Sequence, residues 1–292
     1  MRRLCPRGGK ALAQPFASGG TAGQVASLAR AQQRDGAILR DLLPYDPRMS
    51  KIVQRTLEVF EIFAAQKQPL SLTELARLLE IPQSSCHDVI QAMQERGYLY
   101  EVRPRGGYYP TGRLFHLGEQ IVEHDPVGQR AQPVLDALCS SLHASVSLGR
   151  ARDASLTYLV VCAPEDPLRF LVTVGSQVRN LYATSAGKCV LGSLEPERRR
   201  AVVEALDLQP LTAQTVTSRE ALLADIERSL ERGWFENVEE SVEDALTVSV
   251  GFRWNQGFYV LTAAGTRNRM ERQREQAVEA LRAAAARIQA QG

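Results

Sequence analysis

The run Gln83, Ser84, Ser85, His87, Asp88 and Gln91 gathers hydrogen-bonding side chains at the front of one segment of "LTELARLLEIPQSSCHDVIQAMQERGYL", residues 72–99. If that segment is the second helix of a helix-turn-helix, these side chains enter a major groove, where short polar groups reach base edges and phosphates. Arg103 and Arg105 follow in "RPRGG", and arginines at a hairpin tip suit phosphate or minor-groove contact. Two blander readings stand beside this one: a solvated helix start, and a winged helix that docks protein.

Other stretches could do different chemistry. In "TSAGKC" (184–189), Gly-Lys opens a helical pattern whose N-terminus would attract an anion. The spaced first glycine of a phosphate-binding loop is missing and Cys189 replaces its Ser/Thr, which argues against nucleotide hydrolysis. Glu239, Glu240 and Glu243 could serve acid/base work, but such a run is more often a solvated turn or an ion-pairing edge. Cys162 and Cys189 lack a neighbouring histidine to act as base, so buried thiols are expected there. The five cysteines form no C-x-x-C pair and the histidines number four. We therefore expect reduced thiols, no metal site, no cofactor and no catalytic residue.

The elements that must position these residues follow from the patterning. Apolar Ile52, Val53, Leu57, Val59, Phe60, Ile62 and Phe63 predict a first helix ending at 66–69. Ser71 with Glu74 fits a capping box, Thr73 being an equal candidate for the N-cap. Pro82 suits the first position of the next helix, where its missing N–H is no loss. Cys86, Val89, Ile90 and Met93 recur at helical spacing and should face inward. Gly97 is a stop, and 98–102 and 108–111 read as the two strands of a hairpin, with Pro110 at an edge. Residues 112–124 continue as a linking helix that Asp125-Pro126 breaks.

Beyond 126 the pattern predicts a helix over 128–142, strands near 145–150, 155–163 and 168–175, and helices near 186–193, 195–206 and 218–232. Two strands follow, 245–253 and 258–264, made antiparallel by the tight Asn255-Gln256-Gly257 connection, and then a last helix over 268–289. Hairpins interleaved with helices predict an α+β domain with an antiparallel sheet. The domain reading is 1–48 as a disordered basic extension with at most a transient helix over 24–43, 49–111 as a winged helix-turn-helix, 112–125 as a linker helix and 126–292 as an effector-binding domain.

Charge supports that division. The net charge is +2 and the mean hydropathy −0.21, with balances of +5 over 1–48, +1 over 49–113 and −4 over 114–292. DNA contact is expected toward the N-terminus. No apolar run approaches the ~18 residues of a membrane span, and the basic start is interrupted by Pro, Gly and Gln, so a cytoplasmic protein is expected.

The stretches "RTLEVFEIFA", "PLSLTELARLLEIPQSSCHDVIQAMQERGYL" and "GGYYPTGRLFHLG", then "LYATSAGKCVLGSL" (181–194) and "GWFENVEESVEDA" (233–245), closely resemble the IclR family of bacterial transcription regulators. The resemblance covers about 51–270. It implies a dimeric or tetrameric DNA-binding regulator with a GAF-like C-terminal domain that binds a small organic or aromatic acid. It also places the effector pocket beside loop 184–188 and against the strand near 245–250. Ser185, Ala186 and Gly187 then open a helix whose free N–H groups favour a negative ligand group, and Asn237, Thr247 and Ser249 could hydrogen-bond the ligand. Two departures stand out. Asp88 replaces the arginine that often follows the recognition-helix histidine, either accepting from cytosine or orienting His87, and "DALTVSVGF" replaces the usual text after the paired glutamates.

The function read from the sequence is a ligand-responsive DNA-binding regulator, with a double-stranded operator, a carboxylic-acid effector and a second copy of itself as partners. The rival is an enzyme or nucleotide-binding protein built on 126–292.

Overall fold

A first helix, α1 (Lys51–Gln66), turns Val59 and Phe63 inward and ends at Lys67 in the left-handed conformation. The computed structural model describes residues 50–104, 106–164 and 172–290. The basic extension, its helix over 24–43 and Arg105 lie outside them. Contacts divide the chain into two units that meet between Gly118 and Glu119.

In the first unit, α2 (Leu72–Leu78) is set by Ser71 rather than Thr73: Ser71 Oγ accepts from the Glu74 N–H, and the Glu74 carboxylate accepts from the Ser71 N–H at 2.8 Å. The Ser71 hydroxyl also donates to Glu74 Oε2 at 2.6 Å, and this bond first, then that from the Ser71 N–H, draws the Glu74 carboxyl below its ordinary range. The next helix, α3 (Gln83–Glu95), takes Pro82 as its N-cap, one place earlier than expected, because Pro82 is extended at ψ 143 while its carbonyl accepts the first helical bond from Cys86. Cys86, Val89, Ile90 and Met93 are all buried, as their spacing predicts. They close a core with Val59, Phe63, Leu75 and Leu99, each such side chain contributing roughly 1.5–3 kcal/mol on burial.

The wing is the antiparallel pair β1 (Leu99–Glu101) and β2 (Tyr108–Pro110), joined to Leu70 by a bridge at Tyr108. Edge-on ring contacts between Phe63 and Tyr109 and between Phe60 and Tyr98 seat α1 against it. After it, α4 (Arg113–Glu123) is amphipathic yet buries no residue.

The second unit opens with α5 (Pro126–Leu142), which Asp125 caps. It then builds one antiparallel sheet from β3 (Ser145–Arg152), β4 (Ser155–Cys162), β5 (Phe235–Val238), β6 (Ala245–Trp254) and β7 (Gly257–Thr266), in the order β4-β3-β7-β6-β5. Asn255 and Gln256 both take positive φ, 44° and 61°, the two-residue hairpin geometry that matches strand twist. Three helices, α6 (Ser185–Ser193), α7 (Pro196–Ala205) and α8 (Arg219–Arg232), lie between β4 and β5 in the chain, and α9 (Arg267–Arg272) and α10 (Arg274–Ala290) close it.

One sheet face buries Val146, Leu148, Val248 and Leu261 under α5 and α10. The other meets α6 and α8 through Leu156, Val190, Ile226 and Val260. The approach of α6 is close. A Cβ on Gly187 would stand 2.4 Å from the Cα and carbonyl oxygen of Leu181, and one on Gly251 2.8 Å from Cys189 Sγ.

Three expectations change. Part of the strand near 168–175 lies outside the described residues, and 172–175 forms a turn hydrogen-bonded to β4 rather than a strand. β5 falls where the pattern predicts no element, between the helix near 218–232 and the strand at 245–253, yet it pairs along β6 with Phe235 and Asn237 buried. The last helix is broken at Gln273, which leaves helical geometry at φ −119° and donates its side-chain N–H to the Leu142 carbonyl at 2.8 Å.

Candidate functional site

In the first unit the front of α3 presents Gln83, Ser84, His87 and Gln91 to solvent. Ser85, grouped with them on sequence, is half-buried and lines a groove between α1 and α3, together with Asp88, Arg55 and Arg96. The Gln83 carboxamide donates to Thr73 Oγ1 at 3.2 Å, and that of Gln91 to Glu95 Oε1 at 3.0 Å. Asp88 Oδ1 lies 3.9 Å from His87 Nδ1, too far for a hydrogen bond, so Asp88 does not orient that ring here. Arg103 is exposed at the wing. Arg113, at the start of α4, lies over the Tyr98 ring at 5.3 Å.

In the second unit the small polar residues are buried and bonded to one another. Thr184 caps α6 by accepting from the Gly187 N–H at 3.1 Å. Ser185 Oγ lies 2.6 Å from Thr247 Oγ1 and 2.8 Å from Ser249 Oγ, and Ser249 Oγ lies 2.8 Å from Thr262 Oγ1. The sheet register explains the ladder: Ser249 stands opposite Thr262 on β7 and Thr247 opposite Asn237 on β5, all on the face under α6. Asn237 accepts from the Glu240 N–H and donates to Ser241 Oγ, both at 2.8 Å. Thus the fold brings Ser185, Thr247 and Ser249 together, with Asn237 beside them. Ala186 and Gly187 are packed into the core of this unit, as neighbours that let α6 approach. Thr262 was missed, although its place in the alternation of β7 puts it on the Ser249 face.

Lys188 was also missed. It is 1% exposed, with Nζ 2.8 Å from Asp225 Oδ2, 2.5 Å from Glu240 Oε1 and 3.4 Å from the Glu236 carbonyl. Glu240 is therefore no solvated turn residue. Burial raises its carboxyl, against the pull of Lys188, and its Oε2 is buried without a hydrogen-bond partner. Glu239 pairs with Arg267 at 2.6 Å, whereas Glu243 is exposed.

The acid/base and nucleophile readings gain nothing from this geometry. Burial pushes the Cys162 thiol up to about 12 and the Cys189 thiol upward as well, the wrong direction for thiolate attack. Among the described residues no cluster could hold a metal ion, and no helix is long and apolar enough to cross a membrane.

A helix-turn-helix with a wing, joined in one chain to an α+β unit with a buried polar strip under a helix start, defines the class of ligand-regulated DNA-binding proteins. Within that class the chain belongs to the IclR family of bacterial transcriptional regulators. The IclR C-terminal model matches residues 119–290 and the IclR helix-turn-helix domain matches 52–103. It is 26% identical over 200 residues to the transcriptional regulator KdgR of Escherichia coli K12, covering 68% of this chain and 76% of that one. Its fold is that of the IclR regulator from Alicyclobacillus acidocaldarius, at TM-score 0.68 and 22% identity over 83% of this chain and 98% of the other. An IclR homologue from Microbacterium hydrocarbonoxydans, crystallised with 4-hydroxybenzoate, aligns at TM-score 0.65 and 23% identity over 82% and 98%. The protein is a DNA-binding transcriptional regulator.

Proposed function

We propose that the second unit senses a small carboxylic acid at the strip formed by Ser185, Thr247, Ser249 and Asn237, and that this changes operator binding by the winged unit. The observation that carries the reading is the hydroxyl chain Thr247–Ser185–Ser249–Thr262 lying at the start of α6. Hydroxyls can donate to a carboxylate, and the first turn of a helix adds N–H groups and a favourable dipole. Thr247, bonded to Ser185 at the end of the chain, is half-buried where the other three members are shielded, which makes it the first member a ligand would meet. The complex of the Microbacterium protein with 4-hydroxybenzoate makes aromatic carboxylates a natural part of the test panel. Calorimetry of the full-length protein with aliphatic and aromatic carboxylates, alongside operator binding, tests the reading. Thr247→Ile should abolish the response while leaving DNA affinity intact, and a response that survives it would put the pocket elsewhere.

DNA recognition in this reading is divided. Gln83, Ser84, His87 and Gln91 read base edges, while Arg103, with Arg105 beside it in sequence, holds phosphate. Ser85, half-buried, is the weakest member of the expected set. The winged unit acts as a homodimer whose two heads meet successive half-sites. Support comes from α1, where Ile52, Val53 and Leu57 are each more than half exposed, and from α4, where Phe115 is 70% exposed. A second copy of this chain would cover such apolar surface. Sedimentation of the full chain with Ile52→Glu and Phe115→Glu should give monomers, and an unchanged assembly would remove this face from the interface.

A further inference from the structure

We infer that Thr73, outside the recognition helix, is a positioning residue that fixes the Gln83 carboxamide so that its outward edge reads an adenine. The inference rests on the reading above that Gln83 contacts a base. A glutamine side chain has two N–H donors, one carbonyl oxygen and three rotatable bonds, so free in solvent it offers its edge in many directions. Here one N–H is committed to Thr73 Oγ1 at 3.2 Å, across the turn between α2 and α3. The remaining N–H and Oε1 form a donor and an acceptor side by side, the pair that matches adenine N7 and N6–H in the major groove.

The anchor is itself well held. Thr73 is the second residue of α2, a helix whose start is locked by the Ser71–Glu74 capping box, and it is followed by Leu75 and Ala76 in the core. β-branching restricts its χ1. Gln83 is the first residue of α3, directly after Pro82, whose φ of −56° is fixed by its ring. Both ends of the 3.2 Å bond thus sit on backbone of restricted geometry, and what remains flexible is the glutamine side chain that the bond restrains. Holding it before DNA arrives lowers the ordering cost at the moment of contact.

The test is selection of bound duplexes from a random-sequence pool by the full-length protein and by Gln83→Ala, Thr73→Val, Thr73→Ala and Thr73→Ser, with thermal melts run in parallel. Gln83→Ala should erase an A·T preference at one position of each half-site. Thr73→Val, nearly the same shape without the hydroxyl, should weaken that same preference roughly fivefold and leave the other positions alone. Thr73→Ala should repeat the effect, and Thr73→Ser should restore it. If Gln83→Ala flattens the position but neither Thr73→Val nor Thr73→Ala does, the positioning role is wrong while base reading by Gln83 stands. Uniform loss at all positions in the Thr73 variants, or failure of Thr73→Ser to rescue, also overturns it. If Gln83→Ala changes no preference, the base-reading assignment fails first and takes this inference with it.

Discussion

The two units use the same small polar residue types in opposite ways. In the winged unit Gln83, Ser84 and His87 stand in solvent on the first turns of α3. In the second unit Ser185, Ser249 and Asn237 are buried and each is already hydrogen-bonded within the protein. An exposed donor meets DNA by exchanging water, so its contribution is specificity with little folding energy attached. A buried donor must exchange a protein partner for a ligand, so binding there is coupled to rearrangement of α6 against the sheet. The contrast couples recognition to stability in the second unit and separates the two on the exposed front of α3.

The largest effect is expected from Lys188→Met. It leaves Asp225 and Glu240 facing each other without their shared cation, and breaking such a pair costs about 3–5 kcal/mol. Chemical denaturation should place that loss in the second unit; a change below about 1 kcal/mol would mean that the buried ion cluster is not needed there. Ser249→Ala removes the middle of the hydroxyl chain and leaves Ser185 and Thr262 each short of a partner, at about 1–3 kcal/mol. The same variant should alter ligand response, which no core truncation on the α5 side of the sheet should do.

Ser71→Ala, in the winged unit, deletes a cap and should cost about 1 kcal/mol in thermal or chemical melting. A smaller effect is carried by pH. The folded Glu240 carboxyl lies above its ordinary value of 4.5 because it is buried, with Lys188 opposing and Asp225 and Glu236 adding to the rise. Below 4.5 both folded and unfolded chains hold this proton. As pH climbs from there through the folded value, the unfolded chain ionises first and stability declines. Glu240→Gln should flatten that decline, and an unchanged slope in pH-dependent melting would show that another group causes it. Smallest in stability is Arg103→Ala, expected to leave melting within error. It should weaken all duplexes alike and lower the salt slope by about one. If Arg103→Ala and Gln83→Ala changed base preference identically, the division between phosphate and base contacts would be lost.

The winged unit was legible in the sequence because its signals are local. Ser71 and Glu74 are three residues apart, Cys86 to Met93 follows one helical period, and Pro82 and Gly97 punctuate the ends. Even the error over Pro82 is a single position. The sheet hairpin at 255–256 was legible for the same reason. What escaped is tertiary. Lys188 and Glu240 are separated by 52 residues and only the fold brings them together, so Glu240 read as surface. β5 offers four residues with two polar letters and becomes a strand by pairing with β6. The gathering of Ser185, Thr247 and Ser249 came through family resemblance, since spacing alone does not tell a buried serine from an exposed one. Thr262 needed the register of β6 on β7.

The close seat of α6 bears on how this scaffold could acquire a new signal. With Leu181 backbone 2.4 Å from where a Gly187 side chain would begin, that glycine cannot be varied without moving the helix, whereas a side chain at Gly251 would meet the side chains of Phe258 at 2.3 Å and Cys189 at 2.8 Å. Substitution of Gly187 is expected to destabilise the second unit, so a directed-evolution library gains by leaving it fixed. Positions 247, 249 and 262 differ: there a side chain can change hydroxyl for methyl while the backbone stays in place. Natural drift and laboratory selection alike are thereby channelled onto the same narrow row of residues, so descendants of this sensor would change what they detect well before they change shape.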